Sequence, residues 1–332
     1  MILYLTEPGL NLAQKGGHFV IRLADKSISK EVPVRLVHSI VVYSYCGITS
    51  GALTEALRLH IPLIYLSPNG RLLGKLVSEE FMNGPRQKKQ ILLTTDSEIC
   101  LRLSVRTIGA KIHNEVVFAR RLARANTDKD LTSNIHELEK LEERVHKARS
   151  INELSGLEGI AARRYFDLLS ATLPEVFRFS KRTKHPAQDP ANAMLNFAYT
   201  LLYSEVVAIL EAEGLNPYFG FMHQLRKNHC ALASDLMEEY RSVLADPLVV
   251  NFLKHSNVRP EDFEGSETEG GRHLRPELIR EFLLEYEKRM QQKNQYTGTN
   301  ASFREVIAAQ AHLLAKCVDV ERLDDYLPLR VR

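Results

Sequence analysis

Asn83-Gly84-Pro85, with the basic run Arg86-Gln87-Lys88-Lys89-Gln90 directly behind it, divides the 332-residue sequence into two parts of different hydrophobic period. Gly-Pro after Asn is a strong breaker of regular structure. Upstream, short segments rich in β-branched and aromatic residues alternate with turn formers. Ile2–Leu5, His18–Leu23, Ser27–Val32 and Ser39–Tyr43 read as strands, set apart by Pro8-Gly9, Gly16-Gly17 and Ala24-Asp25-Lys26. A short helix over Ser50–His60 should precede a buried strand, Pro62–Leu66, and Pro68-Asn69-Gly70 should turn the chain.

Downstream the apolar period becomes helical. Ile135, Leu138 and Leu141 recur three apart, and Ile151, Leu154, Leu157 and Ala161 carry on the same kind of stripe. Asp189 is placed to cap a helix, Pro190 suits its first position and Gly214 its end. The expectation is an α+β chain of two domains: a β-rich domain over 1–75, a linker over 76–87, and a larger all-α-helical domain over 88–332. Residues 264–273, EGSETEGGRH, read as a surface loop.

The composition, 44% hydrophobic and 26% charged, is that of a globular chain with a sizeable core. No run of about 18 uncharged apolar residues suggests a membrane span. The start, MILYLTEPG, lacks the basic and apolar regions of a signal peptide. Cys46, Cys100, Cys230 and Cys317 form no CxxC pair, so the expectation is reduced thiols in a cytoplasmic protein. The net charge of +3 decides little, but its distribution is uneven. Residues 86–126 hold nine Lys or Arg against three Asp or Glu, and 178–184 (RFSKRTK) hold four basic residues and no acid. Such runs meet phosphates or simply form solvated helix faces.

Three places carry candidate chemistry. In Leu157–Phe166, helical spacing puts Glu158 on one face with Leu154, Ala162 and Tyr165. A carboxylate on a half-buried face is costly unless it is paired, for instance with Arg163, or binds a metal. In Asn216–His223 an apolar run ends on His223, a candidate ligand or a satisfied core imidazole. In Asp235–Arg241, Asp235 and Glu238 share a helix face, Glu239 lies four residues from Asp235, and Arg241 is a nearby partner. Together these places offer one imidazole and two or three carboxylates. That donor set suits Mg²⁺ or Mn²⁺ with open water positions better than a structural zinc.

At these places the sequence resembles the CRISPR-associated adaptation integrases, the first of the numbered Cas proteins. The pattern E-G-x-A-A-x-x-Y-F matches Glu158–Phe166, and D-P-x-N-A-x-L-N-x-x-Y matches Asp189–Tyr199. N-P-x-x-G-F-x-H matches Asn216–His223, and D-L-M-E-x-x-R matches Asp235–Arg241. Ile48–Ala52 and Ile61-Pro62-Leu63 are more loosely reminiscent of the family's β-rich half.

The resemblance implies a catalytic helical domain and an N-terminal β-domain that forms a homodimer. It implies Mg²⁺ or Mn²⁺ held by Glu158, His223 and Glu238, with Asp235 an adjacent site acid. It also implies a small bridging partner, the second of the numbered Cas proteins, and no membrane association. The implied activity is spacer acquisition: short foreign DNA duplexes are joined to the repeat of a CRISPR array by phosphodiester exchange, with endonuclease cleavage when water replaces the hydroxyl. Arg163, Tyr165, Arg178, Lys181, Arg182, Lys184 and Arg226, with Lys227, are the candidate DNA contacts, chosen by charge and proximity. A metal-dependent nuclease that never joins strands and a non-catalytic DNA-binding scaffold are the rival readings. A purely structural dimer module fits least.

Overall fold

The computed structural model describes residues 1–332 except 26, 44, 68–71, 80–81, 185, 266–270, 296–297 and 299. The chain forms two compact units, Met1–Met82 and Asn83–Arg332.

The first unit is built from two four-stranded sheets. One has the order β1 (Ile2–Leu5), β5 (Ser39–Tyr43), β7 (Leu63–Leu66), β8 (Leu72–Leu76), parallel except for β8. The other has the order β4 (Ile28–Pro33), β3 (His18–Arg22), β2 (Asn11–Lys15), β6 (Gly47–Ile48). Helix α1 (Ser50–Arg58) starts at Thr49, whose hydroxyl accepts the Ala52 N–H. Leu5, Leu12, Phe19, Ile40, Val42, Ala52 and Leu63, from both sheets and α1, meet in one core.

The expected strands are present, and β2, β6 and β8 were missed. Asn-Leu-Ala-Gln-Lys has little β-propensity of its own. It becomes a strand because Gly16 and Gly17, at φ +57° and +75°, close a two-residue hairpin that pairs Lys15 with His18. The turn expected at Pro68-Asn69-Gly70, Lys26 of the Ala24–Lys26 turn and the centre of the 264–273 loop lie outside the described residues.

The second unit is mainly helical. Its first helix, α2 (Gly84–Leu93), begins inside the segment expected to be linker. The expected linker over 76–87 is therefore corrected at both ends: β8 runs through Leu76, and the Asn83 side chain caps α2 by accepting the Arg86 N–H at 3.1 Å. The same Asn-Gly-Pro that breaks the strand pattern thus starts the helix.

Helix α3 (Ser97–Ala125) is 29 residues long and packs against α4 (Thr132–Val145) and α5 (Ile151–Thr172). Helix α6 (Pro190–Ala212) is capped by Asp189 as expected and ends at Gly214, φ +66°. It is long and apolar enough to span a membrane by length and composition, but 72% of its apolar window is buried against its neighbours, as in a core helix. Helix α7 (Ala231–Met237), a π turn over Arg241–Ala245, α8 (Asp246–His255), α9 (Pro276–Gln291) and α10 (Phe303–Asp319) complete the unit. Two hairpins with strands of two residues each, Phe263–Glu264 with His273–Leu274 and Lys293–Asn294 with Ala301–Ser302, qualify the all-helical expectation.

Candidate active site

Glu158 projects from α5 and Glu238 follows the last turn of α7, 80 residues later in the chain. Lys111, from the middle of α3, brings them together. Its ammonium bonds Glu158 Oε1 and lies 2.9 Å from Glu238 Oε2. Lys111 and Glu238 are only 4% and 3% exposed, whereas Glu158 is half-buried. Arg241, one turn beyond Glu238, contacts its other oxygen, Oε1, at 3.0 Å.

Burial works against charge on both partners. On Lys111 the carboxylates of Glu158 and Glu238 outweigh it and hold the ammonium charged. On Glu238 the cations Arg241 and Lys111 outweigh it and keep the carboxyl below its usual range. Glu238 Oε2 faces Lys111 outside hydrogen-bonding alignment and has no hydrogen-bond partner among the described residues. That oxygen therefore already faces a cation, the Lys111 ammonium at 2.9 Å.

His223 is set by a different device. Asp235, 8% exposed in α7, turns back onto the 220–223 segment. Its Oδ2 accepts the backbone N–H groups of Phe221 and Met222 at 2.6 and 3.1 Å, and its Oδ1 accepts that of His223 at 3.0 Å. Oδ1 also lies 2.7 Å from His223 Nδ1. A carboxylate so surrounded by N–H donors can only accept, so Nδ1 donates and Nε2 is the nitrogen left for a ligand. Gly220 makes this close approach feasible, since a Cβ there would fall 2.6 Å from Asp235 Oδ2 and 2.7 Å from the Ala231 carbonyl carbon.

Asp235 and Glu238, expected on one helix face, therefore do separate jobs. Asp235 orients the histidine, and Glu238 belongs with Glu158. Glu239, the alternative acid, is turned away: it accepts the Tyr326 hydroxyl at 2.5 Å and the Leu329 N–H at 2.7 Å. The partner of Glu158 is Lys111, not the neighbouring Arg163 weighed from the sequence. Lys111 itself was missed, counted only as part of the basic excess over 86–126. Its signal was a single lysine inside the apolar run Thr107-Ile108-Gly109-Ala110-Lys111-Ile112, where a charge needs a partner.

Glu158, Glu238 and His223 offer a divalent cation two carboxylates and one imidazole, a donor set whose chemistry fits Mg²⁺ or Mn²⁺. No three His, Cys, Asp or Glu side chains among the described residues close into a ready-made cage. Three such donors would leave a hard cation positions for waters or substrate oxygens.

The candidate DNA contacts divide. Arg163, Arg178, Lys181, Arg226 and Lys227 are exposed, and Lys184 is exposed over its side chain as a whole but sits among neighbouring atoms at its charged end. Lys184 lies within electrostatic range of Arg241, Glu238 and Glu158, and partial burial, seconded by Arg241, lowers its pKa. Tyr165 is corrected: it is fully buried and donates its hydroxyl to Asp246 at 2.7 Å, so its ring packs the core. Arg182 is corrected as well. Its guanidinium bonds the Thr183 carbonyl, Asn192 Oδ1 and Asn196 Oδ1 and stacks on Phe166 and Tyr199. That pins the 178–184 segment onto α5 and α6, which is a structural task.

A family profile described as CRISPR associated protein Cas1 matches residues 3–288. A CRISPR-associated endonuclease Cas1 of Thermus thermophilus is 34% identical over 334 residues, covering 100% of this chain and 97% of that protein. A chain of a Cas6-RT-Cas1–Cas2 complex superposes with a TM-score of 0.85 at 25% identity, over 99% of this chain and 36% of that longer one. A casposase bound to an integration product shares the fold, with a TM-score of 0.83 at 22% identity over 96% of this chain and 91% of that one.

Proposed function

The chain belongs to the Cas1 family of CRISPR-associated proteins, and on that premise we propose that it is a metal-dependent DNA endonuclease and integrase that inserts short DNA duplexes into a CRISPR repeat. The observation that carries the reading is the pair of carboxylates gathered around one cation, Glu158 and Glu238 on Lys111, beside an imidazole aimed by Asp235. Glu158, Glu238 and His223 Nε2 would hold Mg²⁺ or Mn²⁺, which supplies positive charge to a phosphoryl oxygen and to the oxygen that leaves.

The rest falls to the chain's own residues. Arg241 and Lys111 keep Glu238 ionised in a buried place. Asp235 holds the His223 ring so that Nε2 faces outward with its lone pair. The exposed Lys181, Lys184, Arg178, Arg163 and Arg226 draw the phosphate backbone towards the site. In the reaction a DNA 3′-hydroxyl oxygen forms one P–O bond while another P–O bond breaks and its oxygen takes up a proton. One phosphodiester replaces another, so no high-energy cofactor is consumed. Water in place of the hydroxyl gives cleavage.

The relatives' names support the partners of this reading. One is an endonuclease, and one solved neighbour is a complex with Cas2. We therefore include a Cas2-like bridging protein, and from the family resemblance alone a homodimer formed by the N-terminal unit. The test incubates the protein, its small partner and a short duplex with a repeat-bearing plasmid in Mg²⁺, Mn²⁺ or EDTA, comparing wild type with His223→Ala. Metal-dependent joining that His223→Ala abolishes is expected. Cleavage without joining would leave a nuclease, and DNA binding without chemistry under any metal would leave a scaffold.

A further inference from the structure

A positive charge already stands where the two acidic ligands meet. Lys111 comes from α3, Glu158 from α5 and Glu238 from the end of α7, so three separate elements converge on one ammonium. Glu238 divides its oxygens, giving Oε1 to Arg241 and facing Lys111 with Oε2. Two carboxylates and two cations balance in this buried cluster. Taking Lys111 away leaves surplus negative charge shared between the buried Glu238 and the half-buried Glu158.

Resting on the metal-dependent reading above, we propose that Lys111 is a positioning residue that keeps Glu158 and Glu238 gathered in the metal-free protein and competes with the divalent ion for them. A doubly charged ion entering beside Lys111 and Arg241 turns a balanced cluster into one with surplus positive charge, in surroundings that screen poorly. The free protein therefore binds the ion weakly. A phosphodiester, by bringing negative charge to the same place, relieves the surplus, so ion and DNA are retained together. The ion need not build the site; it takes over carboxylates that the lysine has already placed.

The experiment measures Mn²⁺ affinity by calorimetry on wild type, Lys111→Met, Lys111→Arg and His223→Ala, with thermal melting in EDTA and in Mn²⁺. Lys111→Met, which keeps the length and drops the charge, should melt lower in EDTA, gain more from Mn²⁺ and bind Mn²⁺ roughly tenfold tighter or more. Lys111→Arg should stay as weak as wild type. Should Lys111→Met not fold, ¹⁵N-lysine resonances of the wild type replace it: the Lys111 ammonium signal should shift on Mg²⁺ saturation. His223-dependent Mn²⁺ binding that is no tighter in Lys111→Met, or a Lys111 signal indifferent to Mg²⁺, overturns the competition alone. No Mn²⁺ binding in any of the four proteins overturns the metal reading with it.

Discussion

His223 Nδ1 and Asp235 Oδ1 lie 2.7 Å apart, and the same carboxylate also accepts three successive backbone N–H groups, those of Phe221, Met222 and His223. The acid therefore shapes both the loop that carries the imidazole and the ring's orientation. Asp235→Asn places an amide N–H₂ against at least one of those donors. Loss of such an orienting partner lowers metal affinity by about 10- to 100-fold. Mn²⁺ titration of Asp235→Asn should show weakening of that order, with strand joining reduced in parallel. Unchanged Mn²⁺ affinity would remove Asp235 from the positioning role.

Glu115 is buried on α3, one turn beyond Lys111, and its Oε2 has no hydrogen-bond partner among the described residues. Burial pushes its carboxyl up to about 8, with the nearby Lys111 only partly opposing. A raised carboxyl pKa means that the folded state holds its proton more tightly than the unfolded chain does. The resulting stability is complete below the unfolded pKa, about 4.3, and is lost as pH rises through about 8. Chemical denaturation of Glu115→Gln between pH 5 and 9 should show a flatter stability profile than wild type and a gain at the alkaline end. A wild-type-like slope in Glu115→Gln would assign the titration to another group.

Asn114 ties the last residues of the chain to the site. Its amide donates to the carbonyls of Glu239 and Leu329 at 3.1 and 2.9 Å, and its oxygen accepts the Val331 N–H at 2.9 Å. The residue is fully buried, so Asn114→Ala strands three backbone groups and should cost about 2–3 kcal/mol. Because Glu239 adjoins Glu238, the same substitution should weaken Mn²⁺ binding. Proteolysis at the C-terminal segment, compared between wild type and variant, reads the release directly.

Lys181 and Arg182 are neighbours with opposite expectations. Lys181 is exposed, whereas the Arg182 guanidinium is held by Asn192, Asn196 and two aromatic rings. Lys181→Ala should leave the melting temperature within error and flatten the salt dependence of duplex binding by about one unit in the log–log slope. Arg182→Ala should lower the melting temperature first. A stable Arg182→Ala protein with a reduced salt slope would return that arginine to the DNA interface.

The change of hydrophobic period at Asn83-Gly84-Pro85 and the Asp189–Pro190 helix start were legible in the sequence, because caps and periodicity act over a few residues, and the family resemblance singled out Glu158, His223 and Glu238 as candidates. Strand β2 was not, since Asn11–Lys15 is a strand only through its pairing with β3. Nor were the partnerships that decide the site. Lys111 meets Glu158 across 47 residues of chain, and Asn114 meets Glu239 across 125. Tyr165 and Arg182 carry the composition of DNA contacts, yet packing turned one inward to Asp246 and laid the other across Phe166 and Tyr199. Short motifs singled out the candidate donors. Which of them share a desolvated space, and so which charges must neutralise one another, depends on helices brought together from distant parts of the chain, and that only the tertiary structure decided.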